Sequence, residues 1–409
     1  ELKKRYIGEA KVLRAYNYYE LYTKFGDVPY TTKVLSIKES MSIARTAKAT
    51  VIANVLADLD EVINGNYLPT SYDADNKGRI TRWAAMAIKA KIYLFEGNWT
   101  QVKNITSTIM TEGGFKLFGS YAGLFEIANE YNSEVILDAQ YRPTSREHQM
   151  MYVFLPPTLG GYSQLSPLQE LVDSYIMLDG KTIKETGTSF DESHPYANRD
   201  PRLKATVMYT GNSYTLADGT EVVINCEKGE GKDGYGVGSD CSATGYYIKK
   251  YWDNTYRATL YSGLNPILIR YADILLMNAE ALAELGELDK TAWDATIKPI
   301  RDRAGFTLAS ALEFPEGASK DKLIEIVRNE RRSELALEGH RHKDIIRWRI
   351  ADNVLNGWCH GLKTNDVVGT DDGYVRVENR TFNANKHYLW PIPQAERDLN
   401  GNLEQNPNW

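Results

Sequence analysis

The chain has 409 residues, of which 43% are hydrophobic and 25% are charged. These proportions are typical of a globular protein and exclude a disordered one, and a chain of this length can bury a large core as one domain or as two closely associated ones. The formal net charge of -6 comes without any basic block, which argues against a protein that binds nucleic acid through its phosphates.

The N-terminal part of the chain has the apolar spacing of two helices. Apolar side chains return to one helical face over residues 2–25, and Gly26 and Pro29 then follow as typical helix stop signals. A second stretch, from about residue 40 to residue 63, repeats this pattern. The two segments are therefore predicted to form a helical hairpin.

Further helix pairs are predicted at residues 80–112 and 268–306. The same theme, an alanine-rich helix that ends in glycine and is followed by another helix, occurs four times along the chain. It does so before Gly26, Gly97, Gly286 and Gly339. This recurrence is typical of tetratricopeptide-like stacking, although the copies are widely separated, and an irregular helical bundle is the alternative.

The character of the sequence changes between about residues 134 and 263. Residues 134–141, 205–209 and 221–226 alternate in the manner of short strands. Gly, Pro, Ser, Asp and Tyr crowd the segments between them, as is typical of turns and loops. This part is therefore predicted to be a loop-rich insertion held between helical blocks.

Two of the three cysteines, Cys226 and Cys241, bracket a glycine-rich loop in this insertion. A disulfide between them would close that loop in an oxidising compartment. In the alternative, both remain free thiols, and the sequence leaves the two states open.

Residues 327–348 contain a dense cluster of charged side chains. Glu330, Glu334 and Glu338 recur at every fourth position, so one helix would place three carboxylates along one stripe. Because like charges at this spacing repel, cations are expected to pair with them in a structural network, and Gly339 is expected to end the helix and turn the next residues back. The predicted network comprises Glu330, Arg331, Glu334, Glu338, Arg341, Asp344 and Arg347.

Catalytic and metal-binding interpretations of these charges compete with the network. In one, the glutamates supply acid and base for glycoside hydrolysis, although such acids usually lie on separate elements across a cleft. In another, Glu338, His340 and His342 bind a metal, although their spacing differs from that of a zinc-binding helix. Asp200 beside Arg202 likewise has either an acid-base role or a structural one, as a helix cap and ion pair.

The run Glu-Arg-Arg, Glu-Leu, Glu-Gly and Arg-Trp within residues 327–348 resembles the C-terminal signature of the SusD/RagB family of nutrient-binding outer-membrane lipoproteins. Other blocks resemble that family in the same order along essentially the whole chain. They are residues 13–30, 167–183, 198–211, 244–253 and 388–409. Together these blocks are far more specific than any one of them alone.

The resemblance implies a mainly α fold of SusD type, in which a tetratricopeptide-like helical repeat scaffold holds a loop-rich insertion with short strands. A single domain is expected over residues 1–409. Residues 1–125 and 264–360 are assigned to the helical scaffold, and residues 126–263 and 361–409 to the loop-rich, irregular part.

The resemblance also implies a function. The protein is expected to bind glycan or oligosaccharide nutrients at the cell surface, without catalysis, cofactor or metal, and to deliver them to a SusC-like TonB-dependent transporter of the outer membrane. No nucleic acid is expected as a partner. A protein-protein scaffold built on the helical repeats and a glycoside-processing enzyme are the alternatives.

Members of this family have a lipidated cysteine and a further segment before the first repeat helix. This sequence begins within that helix. The lipid anchor that attaches the lipoprotein to the outer membrane, and some of the ligand-binding loops, are therefore expected in a segment that precedes it.

In this family sugars bind on exposed loops, where aromatic rings stack on the sugar and polar side chains bind its hydroxyls. The loop residues that fit this description are Trp252 with Asp253, Asn254 and Tyr256; Tyr72 with Asp73; Tyr214; and Tyr235. Trp252 is the first choice because it is the only tryptophan in the loop-rich middle. For each, an inert loop residue is the alternative, and Asp73 with Asp75 and Gly78 is also similar to the start of a calcium loop that lacks its closing glutamate.

Overall fold

The computed structural model of the protein describes residues 1–409. Helices predominate and the strands are few and short, which confirms the mainly α fold expected from the sequence. The α-helices are, in chain order, α1 (Leu2–Phe25), α2 (Ile37–Ser40), α3 (Lys48–Asn64), α4 (Arg82–Phe95), α5 (Trp99–Glu112), α6 (Met150–Phe154), α7 (Gln169–Val172), α8 (Pro201–Thr206), α9 (Tyr271–Leu285), α10 (Lys290–Ala295), α11 (Ile297–Ala304), α12 (Ala309–Leu312), α13 (Lys320–Glu334), α14 (Arg341–Arg347), α15 (Ala351–Val354) and α16 (Gln394–Leu399). None of them combines the length and the apolar character needed to cross a membrane.

The strands form four small antiparallel sheets. They are β1 (Val135–Asp138), β2 (Val207–Met208), β3 (Ser213–Thr215), β4 (Glu221–Val223), β5 (Tyr247–Ile248), β6 (Ile267–Arg270), β7 (Gly357–Lys363), β8 (Thr370–Asp371) and β9 (Tyr374–Arg380). β1 pairs with β6, β2 with β5 and β3 with β4, and the fourth sheet has the order β7, β9, β8. Each of the three strand segments predicted in the insertion contains one of these strands, namely β1, β2 and β4.

The chain forms two compact units. Unit 1 consists of Glu1–Gly113, Arg341–Asn356 and Thr381–Trp409, and unit 2 consists of Gly114–His340 and Gly357–Arg380. The helical segments predicted as one scaffold are thus divided between the two units, and the single-domain organisation stays a prediction.

Unit 1 is built on the hairpin of α1 and α3, with α4 packed against both and α5 against α4. Its apolar core includes Val12 of α1, Val55 of α3 and Ile88 of α4. The alanines of α4 are buried as well, and their small side chains let neighbouring helices approach closely. Across the hairpin, Arg14 lies 2.6 Å from the carboxylate of Asp58, a contact that helps to fix the register of the two helices.

The second helix of this hairpin begins later than the sequence predicted. Residues 37–40 form the separate one-turn helix α2, which is capped by reciprocal hydrogen bonds between Ser36 and Glu39. The chain then turns, and Thr46 forms an isolated bridge before α3 starts. The apolar pattern did not reveal this break, because Ile43 falls at a helical interval from the buried residues of α3.

Unit 2 combines the packed helices α9 and α13 with the loop-rich part. α9 is buried along most of its length, and α8 and α11 also contact α13. A second core lies among the loops and contains the almost completely buried rings of Tyr175, Tyr214, Tyr246 and Tyr247. Several tyrosines of this chain therefore stabilise the insertion as core residues.

Candidate functional site

A buried network of charged side chains lies in the helical part of unit 2. Glu330 and Glu334 lie on α13, as the sequence predicted, but α13 ends at Glu334. Glu338 therefore lies in the following turn rather than on the helix. The prediction that Gly339 ends the helix is wrong, because Leu337 already has a positive φ of 64° in that turn.

Arg270 is the cation at the centre of this network. Its guanidinium lies 2.7 Å from Glu134, 2.6 Å from Glu334 and 2.8 Å from Glu338, and all four side chains are at most 1% exposed. Arg303 binds Glu134 at 3.1 Å and also binds Glu334. Because guanidinium groups donate several hydrogen bonds in one plane, two arginines bind three buried carboxylates here.

Arg202 and Lys250 are two further cations of this network. Arg202 lies 2.7 Å from Glu330 and 2.9 Å from Glu334, and Lys250 lies 2.7 Å from Glu338. Burial by itself raises the pKa of Glu338, but the neighbouring cations outweigh burial and lower the pKa to about 2. The cations also hold the pKa values of Glu330 and Glu334 below their usual range. All three glutamates are therefore ionised, whereas glycoside hydrolysis requires one protonated acid.

The other residues predicted for the network have different surroundings. Arg331 lies 2.6 Å from Asp273 of α9. Arg341, Asp344 and Arg347 belong to unit 1, where Asp344 lies 2.8 Å from Arg347 of the same helix. The cations that face the glutamates of unit 2 come from distant parts of the sequence instead.

Asp200 has the geometry of a structural residue. Its Oδ1 accepts a hydrogen bond of 2.9 Å from the backbone N–H of Arg202, which caps α8, and its Oδ2 lies 2.7 Å from the guanidinium of Arg202. Both side chains are buried. Across the chain, no three His, Cys, Asp or Glu side chains are placed to hold a metal ion, and the three cysteines are free thiols.

Trp252, the first-choice ligand platform, is half-buried in unit 2. Its indole Nε1 donates a hydrogen bond of 3.1 Å to the carbonyl of Thr215, and its ring packs on Tyr214 with the centroids 5.1 Å apart. Asn254 donates to the same carbonyl at 2.9 Å. Trp252 thus holds the hairpin of β3 and β4 in place, and only part of its ring is open to a ligand.

Three of the candidate side chains near Trp252 are buried. Asp253 is 4% exposed, and its carboxylate accepts hydrogen bonds from the backbone N–H groups of Ile127 and Thr255. Tyr256 is 6% exposed and Tyr214 is fully buried. Their burial leaves these three side chains no open face for a sugar, which the polar composition of their loops did not reveal.

The other two candidate tyrosines are half-buried. In unit 1, the hydroxyl of Tyr72 lies 3.3 Å from Glu9, and burial together with this carboxylate raises the pKa of Tyr72 to about 12. Asp73 uses its carboxylate to cap a short 3₁₀ turn, a role that accounts for its place in the loop. In unit 2, Tyr235 packs against the tyrosine-rich core.

A cleft of about 990 Å³ lies within unit 2. Its walls come mainly from residues 190–199, 225–230 and 362–366, which are far apart in the sequence, and from Tyr374 of β9. Rings of the tyrosine-rich core, including Tyr246, form part of its lining. Part of the buried tyrosine-rich core therefore forms the base of the cleft.

Aromatic rings form one wall of this cleft. Tyr196 and Tyr209 stack with centroids 3.9 Å apart and planes 18° apart, and Tyr246 meets Tyr196 edge-on. Burial raises the pKa of all three hydroxyls, so they stay neutral at physiological pH. Phe190 and Tyr374 are half-buried and line the cleft too. Tyr209 and Tyr246 are buried, so it is the partly open rings of Phe190, Tyr196 and Tyr374 that offer apolar faces on which sugar C–H groups pack.

A chain of hydrogen bonds runs along the same wall. The hydroxyls of Tyr196 and Tyr246 lie 3.2 Å apart, and Tyr246 donates to the side-chain carbonyl of Gln169 at 2.5 Å. The amide nitrogen of Gln169 donates in turn to Asp173 at 2.7 Å. All four residues line the cleft. Hydroxyl, amide and carboxylate groups thus lie beside the aromatic faces, where they can bind the hydroxyls of a sugar.

A model of the SusD family matches residues 124–409. The chain belongs to the SusD family. A second family model, described as starch-binding and associating with the outer membrane, matches residues 1–94. The resemblance inferred from the sequence is therefore confirmed.

Solved structures and curated relatives agree with this membership. A SusD-like carbohydrate binding protein from Bacteroides fragilis is 30% identical to this SusD-family chain, with a TM-score of 0.87 over 98% of this chain and 80% of its own. A second SusD-like protein from Bacteroides fragilis is 28% identical, with a TM-score of 0.83 over 100% of this chain and 80% of its own. A SusD-like protein from Formosa agariphila is 28% identical and matches 85% of this chain, which spans 64% of that relative.

Sequence reasoning did not single out the cleft of this SusD-family chain. Tyr196 satisfies the rule that selected Trp252, because Asn198 and Arg199 lie close to it in the sequence. That rule could have found Tyr196. Tyr374 lies in a strand from another part of the chain, and only the fold brings it to the same cleft.

The sheet of β7, β8 and β9, which contributes to the cleft, also contains a histidine that lies between two carboxylates. His360 of β7 lies with Nδ1 2.8 Å from Glu170 of α7 and with Nε2 3.0 Å from Asp371 of β8. Arg376 of β9 also pairs with Asp371. Burial lowers the pKa of His360, but the hydrogen bonds to Asp371 and Glu170 outweigh burial and raise the pKa above its usual value.

The raised pKa of His360 predicts a pH-dependent stability of unit 2. A group with a raised folded-state pKa stabilises the protein fully below its usual pKa of 6.5, and this contribution is lost as the pH rises through the folded-state value. Because the pair is partly exposed, we expect at most about 1 kcal/mol. Thermal unfolding at about pH 6 and about pH 8.5 should show the loss in the native protein and a smaller one in His360→Gln. Equal losses in both proteins would contradict the assignment.

Proposed function

We propose that this SusD-family chain binds a glycan at the cell surface, in the cleft of unit 2, and delivers it to a SusC-like TonB-dependent transporter without catalysis. The main support is that the half-buried rings of Phe190, Tyr196 and Tyr374 line the same cleft as a chain of hydrogen-bonded polar groups. A pyranose uses both, because its C–H groups pack on rings while its hydroxyls form hydrogen bonds.

The size of the cleft supports an oligosaccharide rather than a single sugar. Its volume of about 990 Å³ lies near the upper end of the range of roughly 300–1,000 Å³ that is usual for ligand sites. The similar protein from Bacteroides fragilis is a SusD-like carbohydrate binding protein. An extended site of this kind is wet, so we expect modest affinity per sugar unit.

We base the proposed absence of catalysis on the burial and ionisation of the glutamates in the network. Glu334 is fully buried among the guanidinium groups of Arg202, Arg270 and Arg303, which leaves a substrate no access to it. Its pKa is lowered, so it does not supply the protonated acid of a glycosidase. This arrangement supports a structural role for the network.

Delivery to a transporter requires a protein-binding surface, for which we propose one face of α1 in unit 1. Leu2, Tyr6 and Leu13 are spaced at helical intervals and are 54%, 49% and 52% exposed. An exposed apolar stripe suits contact with another protein better than contact with water. A lipid anchor in a preceding segment would hold the protein at the outer membrane. The same stripe would serve the second candidate function, a protein-protein scaffold.

Native affinity electrophoresis through gels that contain single polysaccharides tests the proposed function. We expect retardation in at least one gel, and no cleared zone when that gel is stained for residual glycan. A cleared zone would contradict the non-catalytic role. An absence of retardation across neutral and anionic polysaccharides would contradict glycan binding by this chain and favour the scaffold.

A further inference from the structure

The lysines that line the cleft are already bound to carboxylates of the protein. Lys228 lies 2.5 Å from Asp366, and Lys363 pairs with Glu192. All four residues line the cleft. These exposed ion pairs connect residues 363 and 366 to the loops that contain Glu192 and Lys228, so each ammonium group already has a carboxylate partner with which an anionic ligand would have to compete.

The other two basic side chains of the cleft are engaged as well. Arg199 is 6% exposed and donates its hydrogen bonds to the backbone carbonyls of Val172, Tyr175 and Pro195. Its positive charge faces Asp173, which also lines the cleft. His194 lies 2.8 Å from Asp191.

Two carboxylates in the cleft lack such a partner. Glu227 and Glu230 line it, and neither takes part in an ion pair there. The chain as a whole has a formal net charge of -6. Glu227 and Glu230 are exposed, so a sulfate or a uronate that enters the cleft would meet these unpaired carboxylates and no unpaired cation. Like charges repel one another at close range.

We infer that the ligand of this cleft is an uncharged glycan and that the cleft discriminates against sulfated and uronic-acid polysaccharides. This inference rests on the proposed function and specifies its ligand class. Neutral hydroxyls donate hydrogen bonds to Glu227 and Glu230, so the same carboxylates that repel anions bind an uncharged sugar. Selectivity of this kind comes from a repulsive element as much as from an attractive one.

The test uses polysaccharides that share a backbone and differ in charge. Laminarin, amylopectin, xylan and mannan are compared with their sulfated and carboxymethylated derivatives by affinity electrophoresis. We expect each neutral glycan that is retained to lose about tenfold in affinity when it is sulfated. Tighter binding of a charged derivative would overturn the inference and leave glycan binding intact. No binding of any member of the panel would overturn the proposed function, and this inference with it.

A double variant tests whether the lysine–carboxylate ion pairs cause the discrimination against charged glycans. Glu192→Gln with Asp366→Asn releases Lys363 and Lys228, so the ratio of sulfated to neutral affinity should rise about tenfold and depend steeply on salt. The matched control, Glu39→Gln with Glu378→Gln, changes the net charge equally but releases Lys33 and Arg380 outside the cleft. The ratio of sulfated to neutral affinity of this control should equal that of the native protein. Equal ratios in the two variants would overturn the assignment.

Discussion

Replacement of Arg270 by methionine is expected to destabilise unit 2 by about 3–5 kcal/mol, the usual cost of removing one partner from a buried ion pair. Arg270 holds Glu134, Glu334 and Glu338 within 2.6–2.8 Å. Methionine fills much of the volume but donates no hydrogen bond. Three buried carboxylates would then share the remaining cations and repel one another.

The measurement is urea unfolding, followed by circular dichroism, of the native protein and two variants. Arg380→Met is the matched control, because Arg380 also pairs with a glutamate in unit 2 at 3.0 Å but lies on the surface. This control should cost less than about 1 kcal/mol. Equal losses in Arg270→Met and Arg380→Met would show that the buried network does not hold unit 2 together.

Acid unfolding gives an independent readout of the same network. The lowered pKa of Glu338, about 2 against a usual 4.5, means that its stabilisation is complete above pH 4.5 and is lost as the pH falls towards 2. We therefore expect the native protein to lose stability across this interval. Arg270→Met should lose less there, since the principal cause of the lowered pKa has been removed.

Replacement of Tyr374 by alanine is expected to weaken glycan binding by about thirtyfold, or ~2 kcal/mol, the typical cost of truncating an aromatic residue central to a site. Tyr374 is half-buried and lines the cleft from β9, and Lys363 lies over its ring at 5.4 Å. The sheet fixes the position of the ring, and part of the ring remains open to the cleft. Loss of the ring removes a face on which a sugar packs.

Affinity for the retained glycan should be measured by calorimetry for this variant and three comparisons. Tyr374→Phe keeps the ring and should bind within about threefold of the native protein. Tyr261→Ala removes an exposed tyrosine that does not line the cleft and should change nothing. Trp252→Ala decides between the cleft and the loop favoured by the sequence. A large loss in Trp252→Ala with none in Tyr374→Ala would move the site to that loop.

Much of the fold follows from local patterns. Helical spacing located α1, α4, α5 and α9, and alternation located short strands in the insertion. The face of α1 that the apolar spacing marked, with Leu2, Tyr6 and Leu13, is exposed, whereas Val12 and Tyr19 of the same helix are buried. The start of α3 and the end of α13 were misplaced. Both lie where a turn interrupts a pattern that continues in the sequence, and spacing alone does not reveal such a turn.

The charge network shows what a linear reading can and cannot provide. The repulsion expected among Glu330, Glu334 and Glu338 predicted that cations would lie beside them, and the structure contains these cations. Their identities depend on tertiary contacts, since Arg202, Lys250 and Arg270 come from other elements. Arg341 and Arg347 were nearer in sequence but belong to unit 1. Proximity along the chain is a weak guide to pairing, whereas the need for pairing is a strong one.

The candidate site was harder to predict because it is assembled from separate stretches. The rule that an aromatic beside polar residues marks a sugar site selected Trp252, whose polar neighbour Asp253 proved to be buried. Burial is decided by packing that local composition does not encode. Tyr196 and Tyr374 become part of one surface only when β9 lies beside the loops of the insertion.

Hydrogen exchange with and without the retained glycan is the most direct test of the central claim, that the cleft of unit 2 is the ligand site. The account predicts slower exchange in peptides that cover residues 190–199, 225–230 and 362–366 and in those that cover Tyr374, which together line the cleft. Protection confined to residues 252–256, or to residues 72–73 of unit 1, would contradict it.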